Sequence, residues 1–525
     1  MDSPLTLEAL EQKLKLRFKE GFLSLKDLPL PDTFKDMQKA TVRIVDAIKN
    51  YEKITIIGDY DVDGVTSTTI MKLFFEEIGY PVEWIIPNRF TDGYGLSVNI
   101  IPKIKGTDLA ITVDNGISAI HAAQLCKEEG IELIITDHHL LSFQIPEAYA
   151  IINQKQEACE FPYEDVCGAQ IAWYLAASLK NALNVKVNMV EYLELVSIAI
   201  IADMMPLQHI NRAMVQAGIK ALSQSSRPAI KAFLEYHQKE YLNSDDIGFF
   251  LAPLLNSAGR MDDASHAVEF LTSTNIYDAR VRLAKLVELN TLRKTTEQTL
   301  THQALLQVDT KDDVIIVVGQ EWHEGVVGIV ASRIAQICQK PSIVLSENEN
   351  GVLKGSGRSF GECDLFGIVD SCREHLEKFG GHQAAIGLTL HKEKLEWFKS
   401  KIQKKYRSKG YSQKIFDPQI TGALYFSQID FKLTALIKKY EPYGYGNPMP
   451  KFISYDVEIL QIQTMGKKGE HMRLLLKQEN VVLQAVWFKS RGDVKIGQQV
   501  QLFYTLSENY FQGKISLQLI IDKII

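Results

Sequence analysis

No C-x-x-C pair occurs in the 525 residues, and the six cysteines (Cys126, Cys159, Cys167, Cys338, Cys363 and Cys372) are scattered. That spacing excludes a structural zinc ribbon and a disulfide framework, and it suits a reducing cytoplasm. No run approaches the roughly 20 apolar residues that a membrane helix needs. The opening "MDSPLTLEALEQKLKLRF" reads as an amphipathic helix and not as a signal peptide, so a cytoplasmic protein without a membrane partner is expected. Repeats and low-complexity tracts are missing as well. Positive charge is also short: the net of −6 excludes a protein that holds nucleic acid by bulk charge. The balance is uneven, because residues 411–525 carry 14 Lys/Arg against 10 Asp/Glu. A mildly basic tail thus follows a body rich in carboxylates.

What is present is an ordinary globular composition, 46% hydrophobic and 23% charged, in a chain long enough for three or four domains. After helices in residues 1–50, apolar strands alternate with helical stretches: "KITIIG", "VEWIIP", "LAITV" and "IELIIT". Strands apolar throughout, separated by helices, predict a parallel sheet covered on both faces. Residues 165–305 read as helical and close on a long polar-faced helix from Ile276, a natural connector. A second α/β pattern opens at "DDVIIVVG" and runs to about residue 409. The last 115 residues are short alternating strands, the pattern of a small β-barrel. The expected fold class is α/β: a parallel-sheet domain and a smaller α/β domain joined by a long helix, plus a C-terminal barrel. The expected boundaries are 1–210, 211–305, 306–410 and 411–525.

Three strand exits carry acids or imidazoles: Asp59, Asp61 and Asp63 in "GDYDVDG", Asp114 in "VDNG", and Asp137-His138-His139 in "TDHH". Ligands bind at the carboxyl ends of strands in open parallel sheets. Asp203 ends the apolar run "IAIIAD", where an unpaired carboxylate would be costly. Asp63-Gly64 alone, or Asp114-Asn115-Gly116 alone, reads as a turn. Together they point to hard divalent cations such as Mn²⁺ or Mg²⁺, and five or six ligands suit a pair of ions.

In order, "GDYDVDG", "VDNG", "TDHH" and "IADMMPL" resemble the four motifs of the DHH phosphoesterase superfamily. "GGHQAAIG" resembles the hallmark of its associated second domain. "LNSAGRM", "EWHEGVVGIVASR" and "GSGRS" narrow the resemblance to RecJ-type single-strand-specific exonucleases, whose barrel is an OB-fold. The resemblance implies two Mn²⁺ or Mg²⁺ ions, with Asp61 and Asp63 as ligands, Asp114 as bridge, and His138 and Asp203 completing the second ion. Asp59 stands where the pyrophosphatase branch has a ligating histidine, which leaves direct and water-mediated ligation open. His139 is implied as a donor to the scissile phosphate, with a partner that the sequence does not identify. Arg89, Ser356 and Arg358 are implied at the 5′-terminal phosphate, Arg260 near the scissile phosphate, and His382 against nucleotide. Glycine beside each arginine motif, and the bidentate fork of arginine itself, suit that work. For His323, a helix cap or interface residue is as good a reading as a substrate contact.

The tail's aromatics (Tyr440, Tyr443, Tyr445, Phe452, Trp487, Phe488, Tyr504, Tyr510 and Phe511) lie among basic residues, as single-strand platforms do, and about half should face the barrel core. The reading is a metal-dependent exonuclease that degrades single-stranded DNA from the 5′ end to 5′-mononucleotides, in repair and recombination. Its expected partners are single-stranded DNA and a single-strand-binding protein or a helicase, with the chain a monomer. Because the chain stops at the barrel, partner contacts through a further C-terminal domain are not expected. The rivals are a phosphodiesterase of short oligonucleotides or cyclic dinucleotides, and an inactive single-strand-binding scaffold.

Overall fold

Four apolar segments and a fifth, shorter one form the first sheet of the protein, whose computed structural model describes residues 4–411, 420–466, 469–490, 494–511 and 514–525. The strands are β1 (Ile54–Ile57), β2 (Glu83–Ile85), β3 (Leu109–Val113), β4 (Glu132–Thr136) and β5 (Ala150–Ile152). They pair in parallel in the order β2-β1-β3-β4-β5. Every residue of β1 and β3 is buried, as a sheet covered on both faces requires. β5 went unanticipated because three residues carry no period of their own. Between β1 and β3 the winding reverses, and a crevice opens outside their carboxyl ends.

The helices in this part of the chain are α1 (Leu7–Lys15), α2 (Met37–Lys49), α3 (Val62–Glu77), α4 (Ile120–Glu128), α5 (Gly168–Leu183), α6 (Leu193–Ala202) and α7 (His209–Ser223). α3 is buried around most of its circumference. Its threonine hydroxyls satisfy themselves one turn back: Thr66, Thr68 and Thr69 donate to the carbonyls of Val62, Gly64 and Val65, each at 2.8 Å. The helix Ile276–Leu305, 30 residues and about 45 Å long, joins the two α/β units. Its first half buries Ala279, Leu283, Leu286 and Leu289 against the core of the first unit. Its far end gives Leu300 and Ala304 to the second unit.

That second unit holds β6 (Ile315–Gln320), β7 (Ser342–Glu347), β8 (Val352–Arg358), β9 (Lys378–His382) and β10 (Ala385–His391) in the order β6-β7-β8-β10-β9. Only β6 and β7 are parallel. The tail contains β11 (Ile420–Ala423), β12 (Lys451–Met465), β13 (His471–Gln478), β14 (Val481–Trp487), β15 (Gln499–Phe511) and β16 (Lys514–Ile524). The long strand β12 pairs with both β13 and β15, which closes five strands into a barrel with β11 laid alongside.

α1 departs from chain order. Grouped with residues 1–210 by sequence, it places Leu10 and Leu14 in the barrel's core, beside Leu424, Phe426 and Tyr440. The Leu5 amide donates to the Ala423 carbonyl at 2.8 Å, and Lys13 Nζ to the Thr421 carbonyl at 2.6 Å. Local periodicity marked an amphipathic helix and could not say which core takes its apolar face. Among the tail's aromatics, Tyr440, Tyr443, Phe452, Trp487 and Tyr504 are buried, while Tyr445 and Phe488 are exposed. The side chains of Tyr510 and Phe511 lie outside the described residues. Among the described residues no helix is long and apolar enough to cross a membrane.

Candidate metal centre and phosphate pocket

The chain leaves β1 through Gly58 and Asp59, and Asp61 then caps α3. Its Oδ1 accepts the amides of Asp63 at 2.9 Å and Gly64 at 3.1 Å. Asp63-Gly64 is therefore the first turn of a helix, not the loop turn that the dipeptide suggests by itself. Glycine is required at 64 because a Cβ there would meet the Asp59 backbone nitrogen and oxygen at 2.5 Å. At the end of β3, Asp114 adopts a left-handed backbone (φ 64°), a strained conformation for a non-glycine residue. Asn115 holds it there: its Nδ2 donates to the carbonyls of Ile57 (3.0 Å) and Val113 (2.9 Å), and its Oδ1 accepts the Leu96 amide at 2.9 Å. Asp203 caps the C-terminus of α6.

These exits converge. His138 Nε2 lies 3.2 Å from Asp114 Oδ1 and 3.6 Å from both Asp63 Oδ2 and Asp203 Oδ2. Ligand atoms of Asp59, Asp61 and Asp114 come within 4.8 Å of one another, and so do those of Asp63, His138 and Asp203. The two triads share a border at Asp114. Buried oxygens of Asp59, Asp114 and Asp203 find no hydrogen-bond donor among the described residues. Burial pushes Asp59 and Asp114 well above the usual carboxylate range, and repulsion from neighbouring aspartates adds to it. Burial and the same repulsion raise Asp203 to about 8 and Asp63 to about 6. Burial, with the charge of His139, holds His138 down at about 3, so its ring is neutral and free to ligate. Orphaned carboxylate oxygens packed this tightly around a neutral imidazole fit two divalent cations.

Residues unassigned by the sequence hold the cluster in shape. The first amides of α5 point at Asp63: Gly168 donates to Oδ2 at 2.6 Å and Ala169 to Oδ1 at 2.8 Å. A Cβ on Gly168 would sit 2.5 Å from that of Asp114. Asp137, which the sequence placed at the exit without a role, is the missing partner of His139. Its Oδ1 lies 2.7 Å from His139 Nδ1, and its Oδ2 accepts the Ile117 amide at 2.8 Å. Burial opposes the imidazolium, but its hydrogen bond to Asp137 and the field of Asp137 and the other acids outweigh it and raise His139 to about 9. Asn153 donates to the His139 carbonyl at 3.0 Å, and Lys155 to that of His138. Backbone-directed contacts of this kind leave no motif.

Beyond the acids stand the arginines. Arg89 lies over the Tyr60 ring at 4.1 Å with its Nε buried and unpartnered among the described residues. Burial and the fields of Arg89, Arg293 and Arg358 depress Arg260 to about 10. Arg260 Nη1 donates to the Gly325 carbonyl at 3.4 Å, and a Cβ on Gly325 would sit 2.0 Å from the Arg260 carbonyl oxygen. A Cβ on Gly328 would meet Arg358 Nη2 at 3.1 Å and Ser356 Oγ at 3.4 Å. The start of the helix Glu324–Cys338 thus carries β8 and the Arg260 segment close together, with His323 as its N-cap. So many cations with few carboxylate partners form a cradle for phosphate. His382 is exposed at the end of β9, level with Arg358 across Ala385 of β10, and its Nδ1 accepts the Ala384 amide at 3.3 Å within the same hairpin.

Three family models match the chain: the DHH family N-terminal domain at residues 53–200, the DHHA1 domain at 311–408 and the RecJ OB domain at 420–523. The single-stranded-DNA-specific exonuclease RecJ of Bacillus subtilis is 33% identical over 95% of this chain, which spans 65% of that relative's length. The RecJ of Haemophilus influenzae is 32% identical over 96% of this chain and 93% of its own. The crystal structure of Thermus thermophilus RecJ with Mn²⁺ superposes with a TM-score of 0.83, at 26% identity over 98% of this chain and 75% of that one. The Mg²⁺ complex of that protein matches with a TM-score of 0.74, at 25% identity over 94% and 70%. With the motif acids, the three-part architecture and these likenesses in agreement, the chain belongs to the RecJ family of single-stranded-DNA-specific exonucleases.

Proposed function

We propose that the chain is a metal-dependent exonuclease that removes 5′-mononucleotides from the 5′ end of single-stranded DNA. The observation that carries this reading is the adjacency of two ligand triads meeting at Asp114 to the Arg89, Arg260 and Arg358 cradle. Asp59, Asp61, Asp63, Asp114, His138 and Asp203 would hold two Mn²⁺ or Mg²⁺ ions. Bound there, the ions would supply an activated water and charge neutralisation at the phosphoryl group.

The chain's own residues do the rest. Arg89, Ser356 and Arg358 take the terminal 5′-phosphate, which carries up to two charges and suits a bidentate fork. That grip sets one nucleotide's length between the chain end and the ligand triads. His139, kept cationic and oriented by Asp137, donates to the non-bridging oxygen of the scissile phosphate. Arg260 adds a second cation as negative charge develops there. The exposed Tyr445 and Phe488 of the barrel stack on bases farther along the strand. Six free cysteines accord with a reducing, cytoplasmic setting, and a single-strand-binding protein or a helicase is the partner to test.

The test is 5′-phosphorylated single-stranded DNA labelled in turn at each end, with Mn²⁺, Mg²⁺ or chelator, against wild type and Asp114→Ala. Early release of a labelled mononucleotide from the 5′ end, lost in Asp114→Ala, supports the reading. Cleavage of a four-nucleotide oligomer alone would move the protein to the small-substrate branch. Binding without cleavage in either metal would leave a scaffold.

A further inference from the structure

Two arginines of the cradle come from separate elements: Arg89 from the loop that leaves β2, and Arg260 from the last turn of the helix Ala252–Met261. One side chain ties these elements together. Asn88 Nδ2 donates to the Asp262 carbonyl at 3.3 Å, and its Oδ1 accepts the Phe90 amide at 3.0 Å. With an acceptor facing one end and a donor facing the other, the amide has a single satisfied orientation. Both anchorages are themselves held. Buried Asp92 accepts the Asn88 amide at 2.9 Å and Lys103 Nζ at 2.7 Å, while its own amide donates to the Asn88 carbonyl at 2.8 Å. At the other end the Asp262 amide donates to the Ala258 carbonyl at 2.8 Å, and Lys285 Nζ lies 3.2 Å from the Asp262 carboxylate.

The metal loop closes the circuit. Tyr60 stands between Asp59 and Asp61, and Arg89 lies over its ring at 4.1 Å. A Cβ on Gly259 would sit 2.3 Å from the Tyr60 carbonyl oxygen, so the Arg260 segment rests on the same residue. A stack and a close backbone approach both tolerate sliding. A hydrogen bond fixes distance and direction, and in this circuit Asn88 supplies it. We infer that Asn88 is a positioning residue that sets the spacing between Arg89 at the terminal phosphate and Arg260 at the scissile one, and so holds the product to one nucleotide. This rests on the exonuclease reading and deepens it. Asn88 acts through the two arginines and touches neither phosphate. Without its bond to Asp262 the Arg89 loop keeps its turn and its grip on the 5′ end. The scissile phosphate is then presented out of line with the ligand triads, or the next one takes its place.

The experiment uses Asn88→Ser, whose hydroxyl can still accept the Phe90 amide but is too short to reach Asp262. Wild type and variant digest single strands with a 5′-phosphate or a 5′-hydroxyl in Mn²⁺, and the products are separated by length. On phosphorylated strands the variant's kcat is expected to fall about 10- to 100-fold, the cost of a small misplacement at a reacting centre, with KM nearly unchanged. Dinucleotide should appear beside mononucleotide. On 5′-hydroxyl strands, where Arg89 has no phosphate to hold, the two proteins should cut at the same rate, whereas damage to the fold would slow both substrates. An equal loss on both strands, or a variant with wild-type kcat and mononucleotide alone, overturns the inference. Asn88→Asp keeps the shape and puts an acceptor where the donor was. It must yield the same dinucleotide, which decides the matter should Asn88→Ser not fold. Wild type that releases no 5′-mononucleotide removes the exonuclease reading and the spacer with it. Wild type that does, alongside variants indistinguishable from it, removes the spacer alone.

Discussion

Asp137 grips His139 twice, through Oδ1 at 2.7 Å from the ring Nδ1 and through the same oxygen accepting the His139 backbone amide at 3.0 Å. The double contact fixes the ring and presents Nε2 to the crevice, 3.4 Å from the Tyr94 hydroxyl. Asp137→Asn keeps the shape and removes the charge that holds the imidazolium. Its kcat is expected to fall about 10- to 100-fold, the usual cost of losing an outer partner. Mn²⁺ affinity, read by calorimetry, should change far less.

Gly168 sits where a side chain would collide with Asp114. Gly168→Ala adds one methyl at the start of a helix, so far-UV circular dichroism should be unchanged. Mn²⁺ affinity should drop about tenfold or more, because Asp114 must move and the α5 amides must leave Asp63.

Without metal the cluster should be sensitive to alkali. Asp203 titrates at about 8 in the folded chain, raised by burial and by Asp63 and Asp61, against an ordinary value of 3.8. Unfolding lets it ionise, so its contribution to stability declines as pH climbs from about 4 to about 8. His139, against an unfolded value near 6.5, contributes stability that is present below that value and lost as pH rises through about 9. The two signs agree between about pH 6.5 and 8. In chelator the Tm is expected to fall across that interval by about 2 °C or more, and saturating Mn²⁺ should flatten the decline. A Tm in chelator that rises over the interval would contradict the assignment.

Arg358 and Ser356 lie against the first turns of the helix Glu324–Cys338. Arg358→Lys keeps the charge and loses the planar fork. The KM for 5′-phosphorylated strands is expected to rise about tenfold, with 5′-hydroxyl strands nearly unaffected. A uniform loss on both would place Arg358 elsewhere.

The barrel's aromatics should divide by burial. Tyr445→Ala and Phe488→Ala, both exposed, should each weaken single-strand binding about fivefold or more without lowering Tm. Tyr504→Ala removes a fully buried ring and its hydrogen bond to Ser454 at 2.9 Å, and should lower Tm instead.

Much of this arrangement was legible because it is written in periodicity and charge. β1, β3 and β4 announce themselves as apolar runs, and the acids stand at their ends, where a parallel sheet must gather them. Arg89, Arg260 and Arg358 showed themselves beside glycines, although only the fold brings cations so far apart in sequence together. What stayed hidden is contact by backbone. The Gly168 and Ala169 amides on Asp63, and the carbonyls taken by Asn153 and Lys155, depend on tertiary approach. Asp137 was visible as an acid but not as a partner, because a bond between residues two apart at a strand exit has no signature.

The seating of α1 in the barrel has a consequence for the chain as it is made. Lys13 and its acceptor Thr421 are 408 positions apart, and the core that buries Leu10 and Leu14 is completed only by β15 and β16. At a synthesis rate of about 5–20 residues per second, α1 waits roughly 25–100 seconds for the surface it will cover. Until then its leucines face water or a chaperone. The barrel, far downstream in the chain, is thus the unit that finishes folding α1.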